Sequence, residues 1–190
     1  MKKLFIILFT AIIMLLIPGC KEEDYSAEEG IYLAVEASKD LNIAAIEDWR
    51  SREQHLPYSD SEYFDESFAM MKYRYCQRAF SYNYAKFNNH DRTIQTYLET
   101  ESYRTAICSD YAVWLYIELK RCGFGDRSMA VIMFSPTIGT GHTMLCKLED
   151  PDDIDSFRMI DSRSIHPVGK CPAGMRAVLG FNLYDTWEYD

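Results

Sequence analysis

The sequence predicts an α+β fold in which N-terminal helices pack on an antiparallel sheet. Two observations carry this. Between residues 27 and 123 apolar residues recur at helical spacing, with cap and stop residues bounding the runs. From Ser128 the character changes to short apolar runs separated by turn residues, which read as strands. The expectation is one domain over 27–190, with a helical part over 27–123 and a sheet part over 128–190.

Ala27 to Trp49 reads as a helix with Ile31, Val35, Ala37, Leu41, Ala44, Ala45 and Trp49 inward. Ser51 to Glu62 is polar, contains Pro57 and reads as a connection. Asp65 to Phe87 reads as a second long helix. Its aromatic residues Phe68, Tyr73, Tyr75, Phe80, Tyr82, Tyr84 and Phe87 favour a packing face over a ligand-binding stripe. A third short helix is expected over Asp91 to Thr100, with Ile94, Tyr97 and Leu98 inward. The stretch Arg104 to Cys122 carries the clearest helix. Cys108 opens it, Ser109 and Asp110 suit a helix start, and Ala112, Leu115, Tyr116, Leu119 and Cys122 follow at helical spacing. Lys120 and Arg121 fall in its last turn, and Gly123 is a left-handed stop.

Met129 to Phe134 is a continuous apolar run, as in a buried strand. A Pro- and Gly-containing loop leads to a second strand, His142 to Leu148, and an acidic turn over Glu149 to Ser156 leads to a third, Phe157 to Ile160, which ends at Asp161. The acids of that turn lack the Gly and spacing of a calcium loop and read as solvated. Arg176 to Phe181 is expected as a final strand.

Lys2 and Lys3 precede an almost unbroken apolar run, Leu4 to Ile17. It is shorter than the roughly 20 residues that span a bilayer, and behind lysines it reads as the core of a signal peptide. It ends in Leu16-Ile17-Pro18-Gly19-Cys20, which resembles a bacterial lipobox with cleavage before a lipidated Cys. The expectation is a lipoprotein signal peptide over 1–19, Cys20 as the lipidated residue and a polar tether over 20–26. An N-terminal lipid anchor would hold the protein at a membrane of the bacterial cell envelope. The formal net charge is −9, more acidic still without Lys2 and Lys3. That charge argues against nucleic acid as a partner and against adhesion to anionic lipid through a basic patch.

With Cys20 set aside, Cys76, Cys108, Cys122, Cys146 and Cys171 remain, an odd number, so at least one is a free thiol even in an oxidising compartment. No Cys/His cluster has zinc-ligand spacing, and neither a metal nor an organic cofactor is expected. A thiol at a helix N-terminus faces unpaired N–H groups and the positive end of the macrodipole, both of which favour the thiolate. The alternative for a lone Cys is a small buried hydrophobe. A Cys108–Cys122 disulfide is incompatible with one straight helix, which holds them about 21 Å apart, whereas Cys108–Cys146 stays open.

His142 opens a strand and Asp161 closes the next. A thiolate nucleophile benefits from an imidazole within reach, and the imidazole from an acceptor on its other nitrogen. Neighbouring antiparallel strands can hold His142 and Asp161 side by side. His55, His90 and His166 compete less well, because each lies in a polar turn or loop.

The stretches ICSDYAVWLYIELKRCGF, GHTMLCKL and FRMIDSR resemble the transglutaminase-like superfamily of cysteine acyl-transfer enzymes, over about residues 100 to 165. Cys108, Asp110, Ala112 and Gly123 match the family's first block, Gly141 and His142 the second, and Asp161 the third. Ile107 stands where the family often has Gly, and Thr143 and Met144 where it often has an aromatic residue. The resemblance implies a papain-like fold with a Cys–His–Asp triad of Cys108, His142 and Asp161. It implies attack of Cys108 on an amide carbonyl, protonation of the departing amine by His142 and a thioester acyl-enzyme. Water as second nucleophile makes a peptidase or amidase, and an amine makes a transglutaminase. For a tethered envelope protein, hydrolysis of a protein or peptide substrate is favoured. The other reading is a non-catalytic binding lipoprotein that keeps the fold as a scaffold.

Overall fold

Among the residues described, five helices precede a five-stranded antiparallel sheet, with a two-stranded parallel bridge among the helices. The structure is a computed structural model and describes residues 27–57, 59–136, 141–160 and 175–189. The chain divides into a unit over Met1–Glu36, of which only the beginning of the first helix is described, and a unit over Ala37–Asp190 that holds everything below.

Helix α1 (Ala27–Arg52) buries Ile46 and Trp49 completely. Leu41 is 56% exposed and Ala44 also faces solvent, whereas Trp49 and Ala45 face the core as expected, joined there by Ile43 and Ile46. The Trp49 ring meets Phe181 edge-on at 5.5 Å, and its Nε1–H donates to Glu53.

Helix α2 (Glu66–Ala79) starts at an Asp65 cap, which accepts from the Phe68 N–H. It stops at Ala79 and not at Phe87, which corrects the single long helix expected there. Phe80 is extended and buried, Ser81–Tyr82 forms β1, and Asn83 caps a new short helix, α3 (Tyr84–Asn88), by accepting from the Lys86 N–H. Strand β1 pairs in parallel with β2 (Thr105–Ala106), with Tyr82 opposite Ala106. Helix α4 (Tyr97–Tyr103) begins later than expected because Thr96 and Glu99 form a reciprocal capping box. Ile94 is buried ahead of it, whereas Leu98 is 61% exposed.

Helix α5 (Cys108–Arg121) runs over the expected residues and is the most buried helix of the set, with Val113, Trp114, Leu115, Tyr116, Ile117 and Leu119 in the core. Gly123 follows at φ +93°, where a side chain would be strained.

The sheet comprises β3 (Met129–Pro136), β4 (His142–Asp150), β5 (Asp153–Met159), β6 (Met175–Phe181) and β7 (Thr186–Glu188), in the order β5-β4-β3-β6-β7. The acidic turn is tighter than expected, since β5 already begins at Asp153. Strand β3 is buried on both faces: Met129 and Val131 join the core under the helices, while Ala130, Ile132 and Phe134 join a second core on the other side. That double burial is why its sequence is continuously apolar. Helix α5 packs on β3 and β4, so the end of α5 that carries Cys108 and the start of β4 converge.

Candidate active site

Cys108 is the first residue of α5. The turn that presents it is held by Asp110, whose carboxylate is completely buried. One oxygen accepts from the Gln95 N–H at 2.9 Å and the other from the Ile107 N–H at 2.9 Å. The Lys86 ammonium donates to both, at 2.8 and 2.9 Å. One carboxylate therefore ties together α3, the segment ahead of α4 and the entry to α5. Burial pushes Asp110 above the usual carboxylate range, against the pull of Lys86 and the two N–H groups.

The half-buried Cys108 sulfur lies within hydrogen-bond reach of the Thr143 N–H and hydroxyl and of the Ser109 N–H. These donors act in the direction expected at a helix N-terminus. Burial outweighs them, the Asp110 charge adds to it, and the thiol ends above its ordinary range. The helix start favours the thiolate as expected, but burial of the sulfur opposes it more strongly. Thiolate formation here calls for a cation alongside.

His142 is the first residue of β4 and pairs with Phe134 on β3. Its neighbour Thr143 touches the Cys108 sulfur, so the two strand and helix starts abut. Cys108 and His142 both line two adjoining cavities. One, of about 330 Å³, is walled by aromatic and aliphatic residues; the other, of about 360 Å³, has Asn42, His90, Asp91 and Arg92 in its wall. Asp161 lies outside the described residues, as do Cys20, Cys171 and His166. His90, at φ 52°, joins the second cavity, while His55 is exposed in the connection after α1.

Cys108 is a free thiol, so neither pairing considered for it, with Cys122 or with Cys146, forms. Among the described residues no group of three or more His, Cys, Asp or Glu is arranged to hold a metal ion. Several residues at the site went unpredicted. Lys86 and Thr143 carried no signal of their own. Tyr73, Phe80 and Tyr82 belong to the aromatic set read as packing; Phe80 does pack, yet all three also line the aromatic cavity.

Residues 53–146, which include both Cys108 and His142, match the family model described as a transglutaminase-like domain. This stretch of the chain is a transglutaminase-like domain. Solved structures of LapG from Legionella pneumophila share this transglutaminase-like fold. The calcium-bound form aligns with a TM-score of 0.54 at 17% identity, over 65% of this chain and 69% of that one. The EGTA-treated form aligns with a TM-score of 0.55 at 15% identity, over 80% of this chain and 77% of that one. Among proteins with curated functions, no relative matches.

Proposed function

We propose that this transglutaminase-like protein is a thiol peptidase with Cys108 as nucleophile and His142 as its proton carrier. The observation that carries the reading is that a cysteine at a buried helix start and a histidine at a strand start share the walls of the same two cavities. In the first half-reaction the imidazole takes the thiol proton and the sulfur attacks the peptide carbonyl carbon. The resulting imidazolium supplies the charge that the buried thiol otherwise lacks, and the Cys108 N–H faces the developing oxyanion. Collapse breaks the C–N bond as the imidazolium protonates the departing amine, which leaves a thioester. Water, deprotonated by the imidazole, then attacks the thioester carbonyl; the acid leaves and the thiol is restored. Asp161 is assigned the acceptor that orients His142. Transfer to an amine shares the first half, and competition by an added primary amine separates the two outcomes.

The test is cleavage of a proteome-derived peptide mixture, read by mass spectrometry. Wild type generates new termini, while Cys108→Ser and His142→Ala, with unchanged circular dichroism, lose rate by about 10²- to 10⁴-fold. Cleavage that survives Cys108→Ser contradicts the reading.

The reading places the enzyme at the cell envelope, tethered through lipid on Cys20. Among the described residues no helix is long and apolar enough to cross a membrane. Incorporation of an alkyne-tagged fatty acid by the full chain, lost in Cys20→Ser, tests the anchor; equal labelling of both refutes it.

A further inference from the structure

We infer that the aromatic cavity beside Cys108 selects substrates by a bulky apolar side chain on a residue flanking the scissile bond. The selection rests on the peptidase reading and names its substrate class.

The cavity opens on Cys108 and His142 and has a volume of about 330 Å³. That is the lower end of the range for ligand pockets, roughly 300–1,000 Å³, and suits one large side chain better than a long segment. Its apolar wall is Tyr73 and Phe80 from the α2 region, Tyr82 from β1, Tyr111 and Leu115 from α5 and Met144 from β4. No Asp, Glu, Lys or Arg lines it. The walls are already braced. Phe80 meets Trp114 edge-on at 5.3 Å, Tyr82 meets Tyr84 and Phe87 at 4.9 and 5.8 Å, and the Tyr111 hydroxyl donates to the Phe80 carbonyl. The space is therefore preformed and needs no ordering when a guest enters.

A charged side chain filling its apolar part would lose water with no counter-ion in those walls beyond the reacting Cys108–His142 pair, whereas an apolar one would shed hydrated surface. The second cavity on the same Cys108–His142 pair differs in carrying charge. Asp91 and Arg92 line it beside Phe87, Ile94, Met133 and Phe134, so charged substrate groups find partners on that side. An extended peptide crossing the sulfur is thus read as apolar on one flank and mixed on the other.

The test needs no known substrate. The full chain is alkylated with N-benzyl-, N-(2-carboxyethyl)- and N-(2-aminoethyl)-iodoacetamide, which share one reactive carbon and differ in the attached group. Rates at Cys108 and Cys122 are read separately by peptide mass spectrometry. Cys122 is a free, exposed thiol that does not line the cavity, and it serves as the internal reference. The Cys108-to-Cys122 rate ratio is expected to be roughly 10- to 100-fold higher for the benzyl reagent than for either charged one. Gln77, exposed on the cavity wall, can be changed without touching the core. Gln77→Glu is expected to raise the ratio for the aminoethyl reagent selectively, by about tenfold. Ala112→Leu, which narrows the cavity, should lower the benzyl ratio. Equal ratios for all three reagents in wild type overturn the selection, whatever the cleavage assay shows. A benzyl preference in a chain that cleaves nothing overturns the peptidase reading instead.

Discussion

Lys86 is 8% exposed and its ammonium rests on Asp110, which is fully buried and 24 positions along the chain. A buried ion pair adds little net stability, but removing one partner strands the other charge in a medium that cannot solvate it, at a cost of about 3–5 kcal/mol. Lys86→Met is therefore expected to lower the melting temperature by roughly 10 °C, given about 2–4 °C per kcal/mol at this size. Adding Asp110→Asn removes the stranded charge but leaves one of the two N–H groups facing an amide NH2, so it recovers part of the loss. Differential scanning calorimetry of the two variants measures both effects, and an unchanged melting temperature in Lys86→Met would show that the pair holds nothing. Asp110 was legible in the sequence as a first-turn acid of the Cys108 helix. Its partner was not, because nothing local marks one lysine as the one that reaches it.

Helix α5 is gripped at both ends by a buried charge pair, Lys86–Asp110 at its start and Lys120–Asp126 just past its end, where the Tyr116 hydroxyl also donates to Asp126. The chain closes tightly around that second end. A Cβ on Gly125 would lie 1.4 Å from the Ser61 carbonyl oxygen, a backbone atom that cannot swing aside. Gly125→Ala is expected to destabilise the fold by about 1–3 kcal/mol, the usual range for overpacking, with urea unfolding as the measurement. Unaltered stability would mean that the Ser61 segment is free to move off. The ends of α5 were legible because periodicity, charge placement and a glycine stop all agree there. The break of α2 at Phe80 was not. The aromatic spacing continues through it, and the extended segment exists only because Ser81–Tyr82 finds Thr105–Ala106 to pair with. Strand β7 escaped notice for a related reason, being three residues long and defined by its pairing with β6.

Across the molecule, the helices-then-strands layout and the antiparallel hairpins could be read from periodicity alone, since each run matches its own element. What lies in the site depends on convergence. Thr143 reaches the Cys108 sulfur only because β4 packs on α5, and that packing pushes the thiol upward through burial. The resemblance to a transglutaminase-like family pointed to Cys108 and His142; the electrostatics of the sulfur needed the surrounding walls. A thiol raised by burial is mostly protonated at neutral pH unless a neighbouring cation favours its ionised form. Its reactivity at low pH therefore reports directly on His142. The decisive measurement is the pH dependence of Cys108 alkylation by iodoacetamide in wild type and His142→Ala. Wild type should react faster at pH 6 than free cysteine, and His142→Ala should react only as pH climbs above the ordinary thiol value of about 8.5. Wild-type Cys108 no faster than free cysteine at pH 6, or the same profile in both proteins, would contradict a Cys108–His142 nucleophile.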